Sequence, residues 1–248
     1  MVYREIETDG EMAMFVKCFW MSDSQNDEGI HTVLPDGYFD LIFNRLDNKL
    51  DRIFLTGTRT IPVDVPFTKN TSHFGIRFKL IASEYIFRES IERIIDTSTN
   101  LPLHYWNVSD ETFENLETFS IEMGKIIERF IPDYTEIDRR KFLLMGYLYD
   151  NHGDISVAEL SERVGWSSRQ INRWFNNQFG LPLKTFANIL KCHHAYRQIA
   201  QGRFIPESAY YDQAHFIKEI KRYTGYTPKE LFELKNDRFL QLSTHDNG

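Results

Sequence analysis

The sequence predicts an α+β chain in which a β-rich N-terminal part, a barrel or sandwich, precedes an all-α part. Three observations predict it. Apolar residues alternate with polar ones in the first 80 residues, they recur at helical spacing beyond residue 83, and the charge changes sign along the chain. Residues 1–137 hold 13 basic and 24 acidic side chains, whereas residues 138–238 hold 16 basic and 11 acidic, within a total of −7.

The strands come first. Phe39, Leu41 and Phe43 alternate with Asp40, Ile42 and Asn44, and Phe74, Ile76, Phe78 and Leu80 alternate with His73, Gly75, Arg77 and Lys79, the period of half-buried strands. FVKCFW from Phe15 and RIFLTG from Arg52 add shorter strands, and Pro35-Asp36-Gly37 has turn chemistry. From Ser83 the pattern turns helical. A helix from about Asp110 to Phe130 carries Phe113, Leu116, Phe119, Ile121, Met123, Ile127 and Phe130 before Pro132 stops it, and offers a linker or dimer surface. These boundaries divide the chain into a β-rich domain (1–95), a helical linker (96–137), a basic helical domain (138–238) and a frayed tail (239–248).

Residues 154–180 read as two short amphipathic helices joined tightly. Val157, Leu160 and Val164 form a buried stripe, Gly165 can take a positive φ where the first helix ends, and Ser167 can cap the second. The second helix buries Ile171, Trp174, Phe175 and Phe179, leaving Ser168, Arg169, Asn172, Arg173 and Asn176 on the opposite side. Arg reads guanine and Asn reads adenine in a major groove, so a helix armed this way suits base readout. A basic segment around it is the electrostatic footprint of a phosphate backbone.

VAELSERVGWSSRQINRWFNNQFG, LPLKTFANILKCHHAYRQIAQG and YYDQAHFIKEIKRYTGYTPKELFE together resemble the DNA-binding domain of AraC/XylS transcription regulators over about residues 139–238. The resemblance implies a long helix bridging two helix-turn-helix units. It places base contacts on Arg169, Asn172 and Arg173, and near Gln213, His215 and Lys218 in the second unit, although a histidine two residues after an amide at a helix start, the position of His215, is more often a hydrogen-bonded scaffold residue than a base reader. Lys184, Lys221 and Arg222 fall to phosphates, and Phe216, Ile220 and Tyr223 form the buried stripe. The sequence departs from the family where only RFIPES separates Gly202 from Ala209, so the helix before the second turn is short or missing, and Ala209 stands at the turn-glycine position. Over about residues 3–95 the chain is similar to the β-domain that precedes AraC-type domains, which implies sensing or dimerisation. Double-stranded promoter DNA, RNA polymerase, a small-molecule effector and a second copy are the partners implied.

The competing reading is a cupin-like barrel that binds a small molecule or a metal for catalysis, fused to an interaction module. Its ligands are sparse: His31, His73 and His104 sit in separate segments, and His193 and His194 point about 100° apart on a helix. Cys18 and Cys192 are too few for a four-thiolate zinc site, and neither a phosphate loop nor a G-x-S-x-G elbow occurs. The expectation is therefore a non-enzymatic chain without metal or cofactor. With 20 Phe, 12 Tyr and 4 Trp in 248 residues there is ample material for two cores. No apolar run is long enough to span a bilayer and the N-terminus lacks a secretion layout, so a cytoplasmic place without membrane contact is expected.

Overall fold

The computed structural model describes residues 2–25, 27–205 and 210–238. Six strands form one antiparallel sheet: β1 (Val2–Glu7), β2 (Val16–Asp23), β4 (Tyr38–Leu46), β5 (Lys49–Thr56), β7 (Thr71–Lys79) and β8 (Ser98–Leu101), in the order β1-β2-β7-β4-β5-β8. Between them β3 (Gly29–Val33) and β6 (Val63–Phe67) pair as a separate ribbon. At the centre Phe39, Leu41 and Phe43 stand opposite Phe78, Ile76 and Phe74, so the period-2 alternation of both strands lands on one buried face.

The opposite face of the same strands carries charge. Arg77 Nε lies 3.2 Å from Asp40 Oδ1 and 3.7 Å from Asp36 Oδ2, and all three side chains are largely buried. Trp20 Nε1 donates to Asp40 Oδ1 at 2.8 Å. The indole lies flat over Gly75, where a Cβ would come 2.1 Å from the ring, so no larger residue fits there. Burial holds the Asp40 carboxyl above its ordinary range against the opposing pull of Arg77.

Two features of the 96–137 segment differ from the helical expectation. Ser98–Leu101 is an edge strand on β5, invisible to pattern reading because STNL offers no apolar alternation. The helix proper, α2 (Leu116–Glu128), is capped by Asn115, whose side chain accepts from Thr118 N at 2.8 Å. Leu116, Phe119, Met123 and Ile127 are buried, and Phe119 meets the rings of Phe19, Phe43 and Phe74. Ile121 falls off that stripe and is exposed, since a 100° step turns it away, and Phe130 is exposed just past the end of the helix. One face of α2 thus roofs the sheet.

His73, in β7, lies 3.3 Å from Ser22 Oγ through Nδ1. Burial, with Arg52 nearby, pushes its pKa from 6.5 down to about 4. The folded chain resists a proton that the unfolded chain accepts near 6.5, so this stabilisation is complete above that pH and is lost as the pH falls toward 4. Urea unfolding should show a decline on the order of 2 kcal/mol across that window, and His73→Gln should remove it. Identical pH slopes for the two chains would sink the assignment.

The helical part comprises α1 (Ala82–Tyr85), α3 (Arg139–Asp150), α4 (Val157–Val164), α5 (Ser168–Phe179), α6 (Leu183–Ala200), α7 (Gln213–Thr224) and α8 (Pro228–Arg238). Among the described residues no helix separates α6 from α7, and residues 206–209 of the stretch where a short or missing helix is expected lie outside them. Ala209, the expected turn position, and the tail from 239 lie outside the described residues. Helices and sheet share one continuous apolar core. Tyr149 Oη donates to Gly37 O at 2.9 Å and accepts from Leu80 N at 3.0 Å, while Tyr196 Oη donates to Pro35 O at 3.1 Å. Gly37, with φ +83°, packs so close to α6 that a Cβ would sit 2.6 Å from Leu190 Cδ2. The Pro35-Asp36-Gly37 turn is therefore also the point where the sheet docks on the helices.

Candidate nucleic-acid interface

The first unit is built by its caps. Ser156 Oγ accepts from Glu159 N to start α4, and Gly165, at φ +66°, ends it. Ser161 Oγ then donates to Trp166 O at 2.6 Å, which closes the turn. Ser167 and Gln170 form a reciprocal capping box, with Gln170 N on Ser167 Oγ and Ser167 N on Gln170 Oε1. Both entry and exit of the turn are thereby fixed.

The apolar side of α5 is seated as the spacing predicts. Ile171, Phe175 and Phe179 are fully buried, and Phe175 meets Phe179 at 4.7 Å and Phe186 of α6 at 5.3 Å. Trp174 is half-buried, 5.3 Å from Phe179 and 5.8 Å from Trp166. On the other side Ser168, Arg169, Asn172, Arg173 and Asn176 are all exposed. Asn172 Nδ2 donates back to Ser168 O at 2.8 Å. Among the described residues no carboxylate pairs with Arg169 or Arg173, so both guanidiniums are free to meet an external acceptor.

The second unit follows the same plan. Asp212 Oδ1 caps α7 by accepting from His215 N at 2.7 Å, and Gly225, at φ +80°, ends it. Thr227 and Glu230 form the capping box of α8, with Pro228 at its first position. Phe216, Ile220 and Tyr223 are buried, whereas Gln213, His215, Lys218, Lys221 and Arg222 are exposed. Arg222 lies 3.8 Å from Glu219, His215 tilts against Tyr210 at 5.8 Å, and Lys184 stands exposed on the first turn of α6. Two exposed apolar side chains of this unit carry no signal in the sequence. Tyr211 is 93 % exposed just before α7, and Ile217 is exposed midway along it beside Lys218, where an apolar group suits a thymine methyl. Ile217 follows buried Phe216 directly, so periodicity alone gave it no outward role.

The acidic half reaches α5 from behind. Glu84 pairs with Lys141 and accepts from Trp174 Nε1 at 3.1 Å. Gln178 Nε2 donates to Ser83 Oγ at 3.2 Å and Glu89 O at 3.0 Å. In return Ser90 Oγ donates to Asn177 O and Gln178 O, at 3.1 and 2.9 Å, and Ile91 N donates to Gln178 O at 3.1 Å. The last carbonyls of α5, which no residue of its own helix can satisfy, are thus held by segment 83–92. Gly180 makes the approach possible, since a Cβ there would lie 2.7 Å from Glu92 Cα.

The histidines weighed as metal ligands are dispersed. His31 stacks on Phe67, His73 faces Ser22, His104 is exposed, and His193 packs against Tyr38 and Tyr196 while His194 stacks on His152. Among the described residues no three His, Cys, Asp or Glu side chains gather as a metal site would require. Cys18 and Cys192 are both buried free thiols, which burial pushes up. No described helix is long and apolar enough to cross a membrane.

Residues 160–233 match the family described as "Helix-turn-helix domain", and residues 4–100 match one described as "Domain of unknown function (DUF6597)". Uncharacterised HTH-type transcriptional regulators of Staphylococcus aureus strains MSSA476 and N315 are each 30% identical over 84 residues, covering 32% of this chain and 11% of their own length. The chain therefore spans about a tenth of the length of these curated relatives. Two solved structures of ToxT from Vibrio cholerae align with TM-scores of 0.44 and 0.43 and identities of 13% and 15%. They cover 87% and 88% of this chain and 98% of each ToxT chain.

Proposed function

We propose that the chain, whose residues 160–233 match a helix-turn-helix domain, is a sequence-specific DNA-binding transcription regulator of the AraC type that reads a promoter through α5. The observation that carries this reading is the outward face of α5, where unpaired Arg169 and Arg173 stand with Asn172 and Asn176 on a helix capped at both ends. Arg169, Asn172 and Arg173, with Ser168 and Asn176 beside them, take base edges in a major groove. Gln213, His215, Ile217 and Lys218 take a second stretch, and Lys184, Lys221 and Arg222 take phosphates. The N-terminal half acts on this reading through segment 83–92, which seats α5, in response to a ligand or a second copy. RNA polymerase is the further partner, the compartment is the cytoplasm, and no catalysis is assigned.

Random duplexes selected against the intact chain should yield a motif. Arg173→Ala should weaken the selected duplex by about 1–3 kcal/mol and relax one base position, whereas Lys221→Ala should weaken every duplex alike and lower the salt slope by about one. A uniform loss across sequences for Arg173→Ala would overturn its base-reading role. Failure to enrich any motif would overturn the reading as a whole.

A further inference from the structure

We propose that the cavity at the C-terminal end of α2 binds a small planar aromatic carboxylate. The cavity measures about 440 Å³ and lies between the 102–107 segment and the last turn of α2, with Tyr105, Trp106, Ile126, Arg129 and Phe130 in its wall. That volume falls within the range of small-molecule sites, roughly 300–1,000 Å³. The chemistry of the wall is specific. Trp106 lies nearly parallel to Tyr105 at 5.3 Å and 22°, and to Phe130 at 5.5 Å and 20°. These rings already touch one another and leave no slot between them, so a guest meets their outward faces and edges, where a flat π-system gains offset or edge-to-face contact that a branched aliphatic guest does not.

Arg129 supplies the charge. Its side chain is exposed at the cavity, and among the described residues no carboxylate pairs with it. A free guanidinium beside an apolar wall matches a carboxylate with two parallel N–H···O bonds, and it binds a neutral guest with no such gain. The backbone is also committed to this shape. Trp106 and Asn107 both hold left-handed φ values, +60° and +49°, which a tryptophan rarely adopts.

The site also touches the coupling path. Phe87 stacks on Trp106 at 6.1 Å and 27° and stands three residues before Ser90, whose hydroxyl holds the end of α5. A guest that leans on Trp106 favours one position of Phe87, and with it one seating of the reading helix. This consequence, unlike the binding itself, rests on the DNA-reading function proposed above.

The test uses the full chain and indole-3-carboxylate as probe, followed by calorimetry, with indole-3-carboxamide as the neutral control. The carboxylate should bind, and the carboxamide and Arg129→Gln should each weaken binding roughly tenfold. Arg129→Lys should recover part of the loss, and Trp106→Leu should abolish binding while Arg129→Gln leaves the melting temperature unchanged. Absence of binding at millimolar probe, or equal affinity for the acid and the amide, overturns the proposal. So does a concentration-dependent dimer that Arg129→Gln dissociates without any heat of probe binding, which would assign the cavity to a second copy. Duplex binding measured with and without probe is read separately. If the probe binds but duplex affinity stays fixed, the coupling fails; if the chain binds no duplex, the DNA reading fails and the calorimetry still decides the site.

Discussion

Replacing Arg77 by Met is expected to destabilise the chain by about 3–4 kcal/mol, because it strands two largely buried carboxylates, Asp36 and Asp40, on the far face of the sheet. The cost comes from the charge left behind more than from the attraction lost. Asp40 would keep only the Trp20 indole N–H as a close side-chain donor, and burial already disfavours its ionised form. A second substitution, Asp40→Asn, removes one stranded charge while retaining an acceptor for Trp20, so Arg77→Met/Asp40→Asn should be more stable than Arg77→Met alone. Urea unfolding measures both. If the double variant is no more stable than the single one, the penalty has another origin. The effect reaches beyond the sheet, since Asp36 lies between Pro35 and Gly37, whose carbonyls receive Tyr196 and Tyr149.

Replacing Tyr149 by Phe is expected to cost about 2–4 kcal/mol with almost no change in packing. The ring would still stack on Tyr38 at 5.4 Å and meet Phe186 at 5.8 Å. Its hydroxyl, however, serves the Leu80 amide and the Gly37 carbonyl at once, and both residues are buried. Removing one oxygen leaves two buried polar groups unpaired. Hydrogen exchange at the Leu80 amide should accelerate along with the loss of stability. A loss below about 0.5 kcal/mol would mean that water replaces the hydroxyl at this seam.

The helices around residues 154–180 were legible because every local signal agreed: apolar spacing, capping residues and a glycine at the left-handed position. The central strands were legible for the same reason, since Phe39, Leu41 and Phe43 alternate cleanly. Ser98–Leu101 was not, because its pairing rests on backbone hydrogen bonds that no side-chain pattern reports. The outward stripe of α5 could be drawn from spacing, but what lies behind α5 could not. Trp174 and Gln178 find Glu84, Ser83 and Glu89 some 90 residues away in sequence, and nothing in either segment marks the other as its partner. Likewise Pro35-Asp36-Gly37 shows turn chemistry in isolation, and its docking role depends on Tyr149, Leu190 and Tyr196 arriving from the far half.

The closing carbonyls of α5 are satisfied by Ser90 and Ile91, which any cut near residue 138 would remove. A dissected C-terminal fragment would therefore fray at the end of α5 and expose Trp174 to water, so whatever it binds would report on the fragment rather than on the parent. Exchanging N-terminal halves between chains of this build meets the same obstacle: the crossover must keep the stretch from Ser83 to Glu92 with the α5 helix it braces, or the chimera inherits a loosened helix.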